Sequence, residues 1–191
     1  MTAEPPERVR LSVELVRGGG EWRPFEPVEP LVETAAGVVA QYLAGPGGPD
    51  GRRAVTACIA LSSDDEIRRL NREFRGKDSA TNVLSFPSPP PPPGTDGADD
   101  SLGDVVLAAE TVMREAADLG VPLAHHLQHL VVHGLLHLAG YDHETDEDAA
   151  EMEDLETRLL GAIGIPDPYA RDGEEAPEPR RTRKSRGKHG H

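Results

Sequence analysis

The segment HGLLHLAGYDH, residues 133–143, places three histidines within eleven positions and constrains the local fold more than any other stretch. The apolar residues just before and within it recur at helical intervals, which predicts a helix over 123–138 (Leu123, Leu127, Leu130, Val131, Leu135, Leu138). His133 and His137 then share one helix face, because they are four residues apart. Gly140 is expected to end the helix in a left-handed conformation and to let the chain turn back. After that turn, His143 can reach the same point.

Three neutral imidazoles with a fourth position left open are typical of a catalytic zinc site. A closed structural site usually has a fourth protein ligand, most often Cys. The only cysteine, Cys58, lies in the apolar run AVTACIAL and is expected in the core. The sequence therefore predicts one zinc ion held by His133, His137 and His143.

The same spacing, H-x-x-x-H-x-x-G-x-x-H, coincides with that of metzincin proteases, which carry a glutamate general base directly after the first histidine. Here that residue is Gly134, which has no side chain to accept a proton. A peptidase of that mechanism is therefore disfavoured. Three imidazoles lower the pKa of a zinc-bound water to about 7, so a metal-bound hydroxide can serve as the nucleophile without an adjacent carboxylate.

Periodicity along the rest of the chain predicts a single α/β (α+β) domain. Strands are expected over 10–16, 54–61, 80–86 and 102–110. Helices are expected over 31–44, within 62–76, and over 110–119, 123–138 and 145–162. The helix within 62–76 should begin at a Ser/Asp cap, stop at Gly76 and place Ile67, Leu70 and Phe74 on one face. This order indicates a small, mixed and mainly parallel sheet packed with helices.

Two segments depart from that pattern. A Pro-rich loop over 87–101 contains five consecutive prolines, and residues 172–191 are predicted to be a disordered basic tail. The last twelve residues hold six Lys or Arg and no acid, so residues 1–179 carry 14 Lys or Arg against 34 Asp or Glu, a net charge of −20. Such acidity by itself argues against a nucleic-acid partner. No apolar leader or membrane-length stretch is visible, so a cytoplasmic location is expected.

Several segments together resemble the YbeY family of bacterial endoribonucleases: HGLLHLAGYDHE, LNREFRGKDSATNVLSFP, LGDVVLA, HHLQHLVVHG and EMEDLETRLLGAIGIPDPY. The resemblance covers residues 10–170 in collinear order and implies a domain over 1–171. It implies a zinc-dependent, single-strand-specific endoribonuclease that matures the 3′ end of small-subunit ribosomal RNA and acts in ribosome quality control. The implied partners are ribosomal RNA, the small ribosomal subunit with its proteins, and an Era-type GTPase. This chain has Ser79-Ala80-Thr81 where the family commonly has Lys-Pro-Thr, so one positive charge near the cleft is missing.

The resemblance also maps a family arginine onto Arg75, a catalytic candidate because a guanidinium pairs with phosphate oxygens. A solvated helix-end charge is the alternative. Asp142 is the second catalytic candidate, either orienting a histidine or acting as the base. The substrate-binding candidates are Arg75, Lys77, Asn82, Ser85 and His129. Turn or packing roles are equally plausible for Asn82 and Ser85. Surface or packing roles are equally plausible for His125 and His129.

His126 is expected to be a packing residue. Most acids after the histidine motif, Glu156 among them, are expected on the solvated face of the last helix. Two other functions stay open. One is a metal-stabilised ribosome assembly factor that does not cleave, which the acidic surface fits because ribosomal proteins are basic. The other is an atypical metallopeptidase.

Overall fold

Four strands form one mixed sheet in the order β1-β2-β4-β3. The computed structural model describes residues 10–45, 54–89 and 100–170. The strands are β1 Arg10–Arg17, β2 Ala54–Ser62, β3 Val83–Pro87 and β4 Asp100–Ala108. β1 and β2 are parallel, as are β2 and β4, whereas β3 runs antiparallel to β4 at the sheet edge. The prediction of a single α/β domain with a small, mainly parallel sheet is confirmed.

Five α-helices cover the sheet within the described ranges: α1 Val28–Leu43, α2 Asp64–Arg75, α3 Ala109–Leu119, α4 Leu123–Leu138 and α5 Asp146–Ala162. The larger core joins one face of the sheet to α1, α4 and α5, with α4 buried along most of its length. A smaller cluster lies where α2 packs on the opposite face (Ile67, Leu84, Val106, Ala108). Helix α4 is therefore surrounded by protein on most sides, and only a few of its side chains, His133 and His137 among them, remain partly accessible to solvent.

Side-chain alternation along β2 explains one wrong expectation. Val55, Ala57, Ile59 and Leu61 point into the larger core. Cys58 therefore points to the opposite face, where it is half-buried rather than in the core.

Two strand boundaries differ from the prediction. β3 begins at Val83 and not at residue 80; just before it, the Asn82 side chain accepts the Val83 N–H (2.7 Å), and the Asn82 carbonyl accepts the Ala108 N–H (2.9 Å). β4 ends at Ala108, and residues 109 and 110 already belong to α3. The strand begins at Asp100, inside the predicted loop over 87–101. Residues 90–99 of that loop, and the predicted tail, lie outside the described residues.

Helix α2 has the predicted ends. The Ser63 hydroxyl accepts the Glu66 N–H at its start, and Gly76 ends it with a φ of +68°. Its apolar face is narrower than predicted: Ile67 is buried, but Phe74 is 62% exposed. None of the helices in the described ranges has the length and apolar character needed to span a bilayer.

Candidate metal centre and cleft

The three motif histidines come together at the C-terminal end of α4. One ring nitrogen of each lies within 4.8 Å of the other two. His133 and His137 are one turn apart on α4, with ring centroids separated by 4.6 Å. The helix ends in a Schellman motif, in which Tyr141 N–H bonds to the Leu136 carbonyl (3.1 Å) and Gly140 has a φ of +100°. This turn returns His143 to within 4.8 Å of His137, centroid to centroid, so the predicted geometry is confirmed.

The donor set fits a metal ion. Burial, together with the neighbouring His133 and His143, lowers the pKa of His137, which keeps its ring neutral and its lone pair available near neutral pH. His133 and His137 are half-buried, and His143 is exposed at the mouth of a cleft. Three imidazoles with an open side are the arrangement of catalytic rather than structural zinc. These residues could hold one ion and leave room for a substrate.

A fully buried carboxylate supports the first histidine. Glu156 of α5 is 0% exposed, and its Oε1 lies 2.7 Å from His133 Nδ1. Burial alone would raise the pKa of Glu156, but hydrogen bonds from His129, His133 and Tyr169 outweigh it and lower that pKa to about 2. Because the carboxylate is ionised and can only accept, His133 Nδ1 must donate. This leaves Nε2 of His133 as the donor for a metal.

Glu156 was not among the predicted site residues, because it was grouped with the solvated acids of α5. A signal was present: Glu156 lies one turn after Met152 and one turn before Leu160, within the buried stripe of the helix. A single acid in an apolar stripe requires polar partners.

The same carboxylate changes the interpretation of His129. This residue was a candidate either for contact with substrate or for a packing role, and it is not among the residues that line the cleft. Its Nε2 lies 2.8 Å from Glu156 Oε2, and the Tyr169 hydroxyl donates to the same oxygen. His129 is one turn before His133 on α4, so the buried Glu156 holds its ring beside α5 and away from the cleft.

Gly134 is explained by packing. A Cβ built on it would lie 2.6 Å from Val105 Cγ1 and 3.0 Å from Val105 Cγ2. Helix α4 therefore approaches β4 at a distance that only glycine permits. The Ser85 hydroxyl donates to the Gly134 carbonyl (3.3 Å) from the adjacent strand β3. The missing glutamate of the protease pattern is thus the consequence of a close contact between helix and sheet.

The cleft in front of the histidines has a volume of about 570 Å³. Four other predicted site residues line it: Arg75, Asn82, Ser85 and Asp142. Arg75 donates from Nη2 to the Ser85 carbonyl (3.3 Å), which carries its guanidinium across the edge strand to the cleft. Asp142 Oδ1 accepts the backbone N–H of His143 (2.7 Å). Asp142 therefore orients the returning histidine through its backbone and not through its ring.

Asn82 also has a structural contact, and Lys77 lies in solvent. Asn82 donates to Glu115 Oε2 (2.9 Å), and the same oxygen lies 2.9 Å from His126 Nε2. His126 is buried, as expected for a packing residue. Lys77 is exposed and is not part of the cleft lining, because Gly76 turns the chain away after α2.

Comparison with known proteins supports the resemblance found in the sequence. The family described as "Endoribonuclease YbeY" matches residues 50–164. A protein named Endoribonuclease YbeY from Rhodopseudomonas palustris is 54% identical over 139 residues, which is 73% of this chain and 68% of the relative. One of the same name from Allorhizobium ampelinum is 43% identical over 84% of this chain and 96% of the relative. The solution structure of TM1509 from Thermotoga maritima is similar with a TM-score of 0.51 and 26% identity, covering 87% of this chain and 99% of that one.

Proposed function

The chain belongs to the YbeY endoribonuclease family, and on that premise we propose that it is a metal-dependent endoribonuclease of ribosomal RNA processing. The observation that carries the proposal is the set of three imidazole nitrogens within 4.8 Å of one another, facing an open cleft with Arg75 at its rim. The finer assignment is cleavage of single-stranded RNA, at the 3′ end of the small-subunit RNA, with a role in ribosome quality control.

In this proposal His133, His137 and His143 hold one zinc ion. Bound there, zinc supplies Lewis acidity and lowers the pKa of a coordinated water to about 7. Glu156 holds His133 in the tautomer that leaves Nε2 unprotonated. Asp142 positions His143 through its backbone N–H. A second role for Asp142, accepting a proton during the reaction, rests on its place in the cleft wall.

Arg75 is the residue assigned to the phosphate. It forms no ion pair with any carboxylate in the described part of the chain, whereas Arg68 and Arg69 on the same helix are both paired with acids. Its guanidinium is therefore available to bind a phosphodiester and to stabilise the charge that develops during cleavage.

The acidic surface fits the proposed partners. Residues 1–179 carry a net charge of −20, which favours docking on basic ribosomal proteins over unaided RNA binding. We therefore place the enzyme on the small ribosomal subunit in the cytoplasm, where an Era-type GTPase is the further partner implied by the family. A domain over 1–171 with a separate basic tail over 172–191 belongs to the same proposal.

The test uses the full chain, with its metal content measured, and a labelled single-stranded RNA from the small-subunit 3′ region. His137→Ala should lose both metal and cleavage. Arg75→Ala should keep the metal but cut about 100-fold more slowly, by analogy with removal of one donor to a charged transition state. Arg69→Ala is the matched control, because Arg69 is bound to Glu66 and Glu73 along the same helix.

Two outcomes would change the assignment. Undiminished cleavage by metal-free His137→Ala protein would refute the metal mechanism. A metal-loaded wild type that cuts no RNA but co-sediments with small subunits would favour the non-cleaving assembly factor. The atypical metallopeptidase is disfavoured by Gly134, whose position against Val105 leaves no room for a general base.

A further inference from the structure

A pair of aromatic rings, one exposed and one half-buried, lies beside the cleft. Phe74, on α2, is 62% exposed. Its ring meets that of Phe86, on β3, edge to face, with centroids 5.3 Å apart and planes at 68°. We call Phe74 and Phe86 the aromatic platform. More than half of the Phe74 side chain is therefore apolar surface open to solvent, on a helix that is otherwise mostly charged.

The platform is continuous with the cleft across one strand. Phe74 and Arg75 are consecutive on α2, and they contact two consecutive residues of β3, Phe86 and Ser85 respectively. The Ser85 hydroxyl bonds to α4 on the cleft side, so Phe86 points to the opposite side of the sheet. Because β3 is an edge strand, a ligand that leaves the cleft past Arg75 crosses only this strand before it reaches Phe74.

The basic residues near the platform are of two kinds. Residues 68–77 contain five of the fourteen Lys or Arg that the chain carries before its basic tail (Arg68, Arg69, Arg72, Arg75, Lys77). Arg68, Arg69 and Arg72 form ion pairs with carboxylates, whereas Arg75, next to Phe74, forms none within the described ranges. A guanidinium without a carboxylate partner, beside an exposed aromatic ring, fits a polyanion. Aromatic rings between basic residues are the usual means by which proteins bind single-stranded nucleic acids.

We propose that Phe74 stacks on an unpaired base of the RNA whose backbone Arg75 binds. A base is free to stack on a side chain only when it is not stacked within a duplex, so this contact makes the site selective for single-stranded RNA. The inference rests on the proposed function, because it takes RNA as the ligand of the cleft. It adds the element that distinguishes unpaired from paired substrate.

The test measures RNA binding without cleavage, using full-length protein in chelator and a short fluorescent single-stranded RNA. Phe74→Ala should raise the Kd about 10-fold, the scale of one lost base stack. Phe74→Leu, apolar but without a π face, should weaken binding to a similar degree, and Phe74→Trp should restore it. RNA should also quench the fluorescence of the tryptophan introduced by Phe74→Trp, because the base stacks on it. The native Trp22 is only 6% exposed and adds a constant background.

Leu119→Ala is the matched control, because Leu119 is 65% exposed on α3, so its substitution removes a similarly exposed apolar side chain. It should bind RNA as the wild type does, and all variants should unfold at similar temperatures. A matched RNA duplex should bind wild type and Phe74→Ala equally.

Each failure has a distinct meaning. Wild-type affinity in both Phe74→Ala and Phe74→Leu would overturn the platform, while cleavage by the wild type would leave the proposed function intact. Wild type that neither binds nor cuts RNA would refute the proposed function itself. Normal RNA binding by Phe74→Ala with lost co-sedimentation on small subunits would assign Phe74 to a protein contact, which also overturns the stacking role.

Discussion

The contact between Gly134 and β4 makes a sharp prediction for Gly134→Ala. The added Cβ would lie 2.6 Å and 3.0 Å from the two methyl groups of Val105, and 3.4 Å from Ser85 Oγ. Rotating the Val105 side chain cannot relieve both methyl contacts at once, and Val105 is fully buried in the core between α4 and the sheet. Helix α4 must therefore move away from the sheet by several tenths of an ångström or more.

Two opposing effects set the magnitude. Overpacking a well-packed core costs about 1–3 kcal/mol. Replacing Gly by Ala inside a helix contributes up to about 1 kcal/mol in the other direction. We expect the free energy of unfolding to fall by about 1 kcal/mol, measured by urea denaturation of the metal-free protein. Because α4 carries His133, its displacement should also disturb the contact of His133 with Glu156 on α5 and so weaken metal binding.

A double-mutant cycle with Val105→Ala tests the cause. Val105→Ala removes both methyl groups that clash, at the cost of a small cavity. In that background Gly134→Ala should be neutral or stabilising by up to about 1 kcal/mol, because only the helix propensity remains. If the two substitutions are simply additive, the close contact with Val105 is not the reason for glycine at this position.

Two further predictions concern the metal. Glu156→Gln should weaken zinc binding about 10–100-fold, because His133 loses its anionic partner. The affinity is measured by competition with a chromophoric chelator. Tyr169→Phe is the control: it removes a donor to the same carboxylate but leaves His133 bonded, so it should bind zinc as the wild type does. Added zinc at 100 times its Kd should raise the free energy of unfolding by about 2.7 kcal/mol, and His137→Ala should abolish that increase. Equal stabilisation of the two proteins would place the zinc elsewhere.

The histidine site could be predicted from sequence because its geometry is local. The interval from His133 to His137 is one helical turn, and Gly140 is the residue that reverses the chain. Both consequences follow from backbone geometry and need no knowledge of the tertiary structure. The succession of strands and helices along the chain was predictable for a similar reason, because apolar patterns and helix caps are local signals.

The supporting residues could not be assigned in this way because they depend on packing between distant elements. Glu156 reaches His133 only because α5 lies against α4. Glu115 meets Asn82 only because α3 follows directly from β4, the strand that pairs with β3. The start of β3 was also mispredicted, since propensity extends the run to residue 80 whereas pairing with β4 begins at Val83. One general rule still applies to Glu156: an acid within the buried stripe of a helix needs hydrogen-bond donors. In this chain the histidines of α4 provide two of them.

The structure also explains why the metal site and the protease pattern share a spacing without sharing a base. At position 134 the Cα–Cβ bond would point at Val105, so the Cβ of a glutamate placed there would clash with the Val105 side chain on β4. A carboxylate close to His133 must therefore come from another element, and α5 provides it as Glu156. That carboxylate is fully buried and already accepts three hydrogen bonds, so it can orient His133 but cannot receive a proton from a substrate-side water. In the proposed mechanism, the packing of α4 would therefore separate orientation of the metal ligands from proton transfer, and leave proton transfer to groups in the cleft wall.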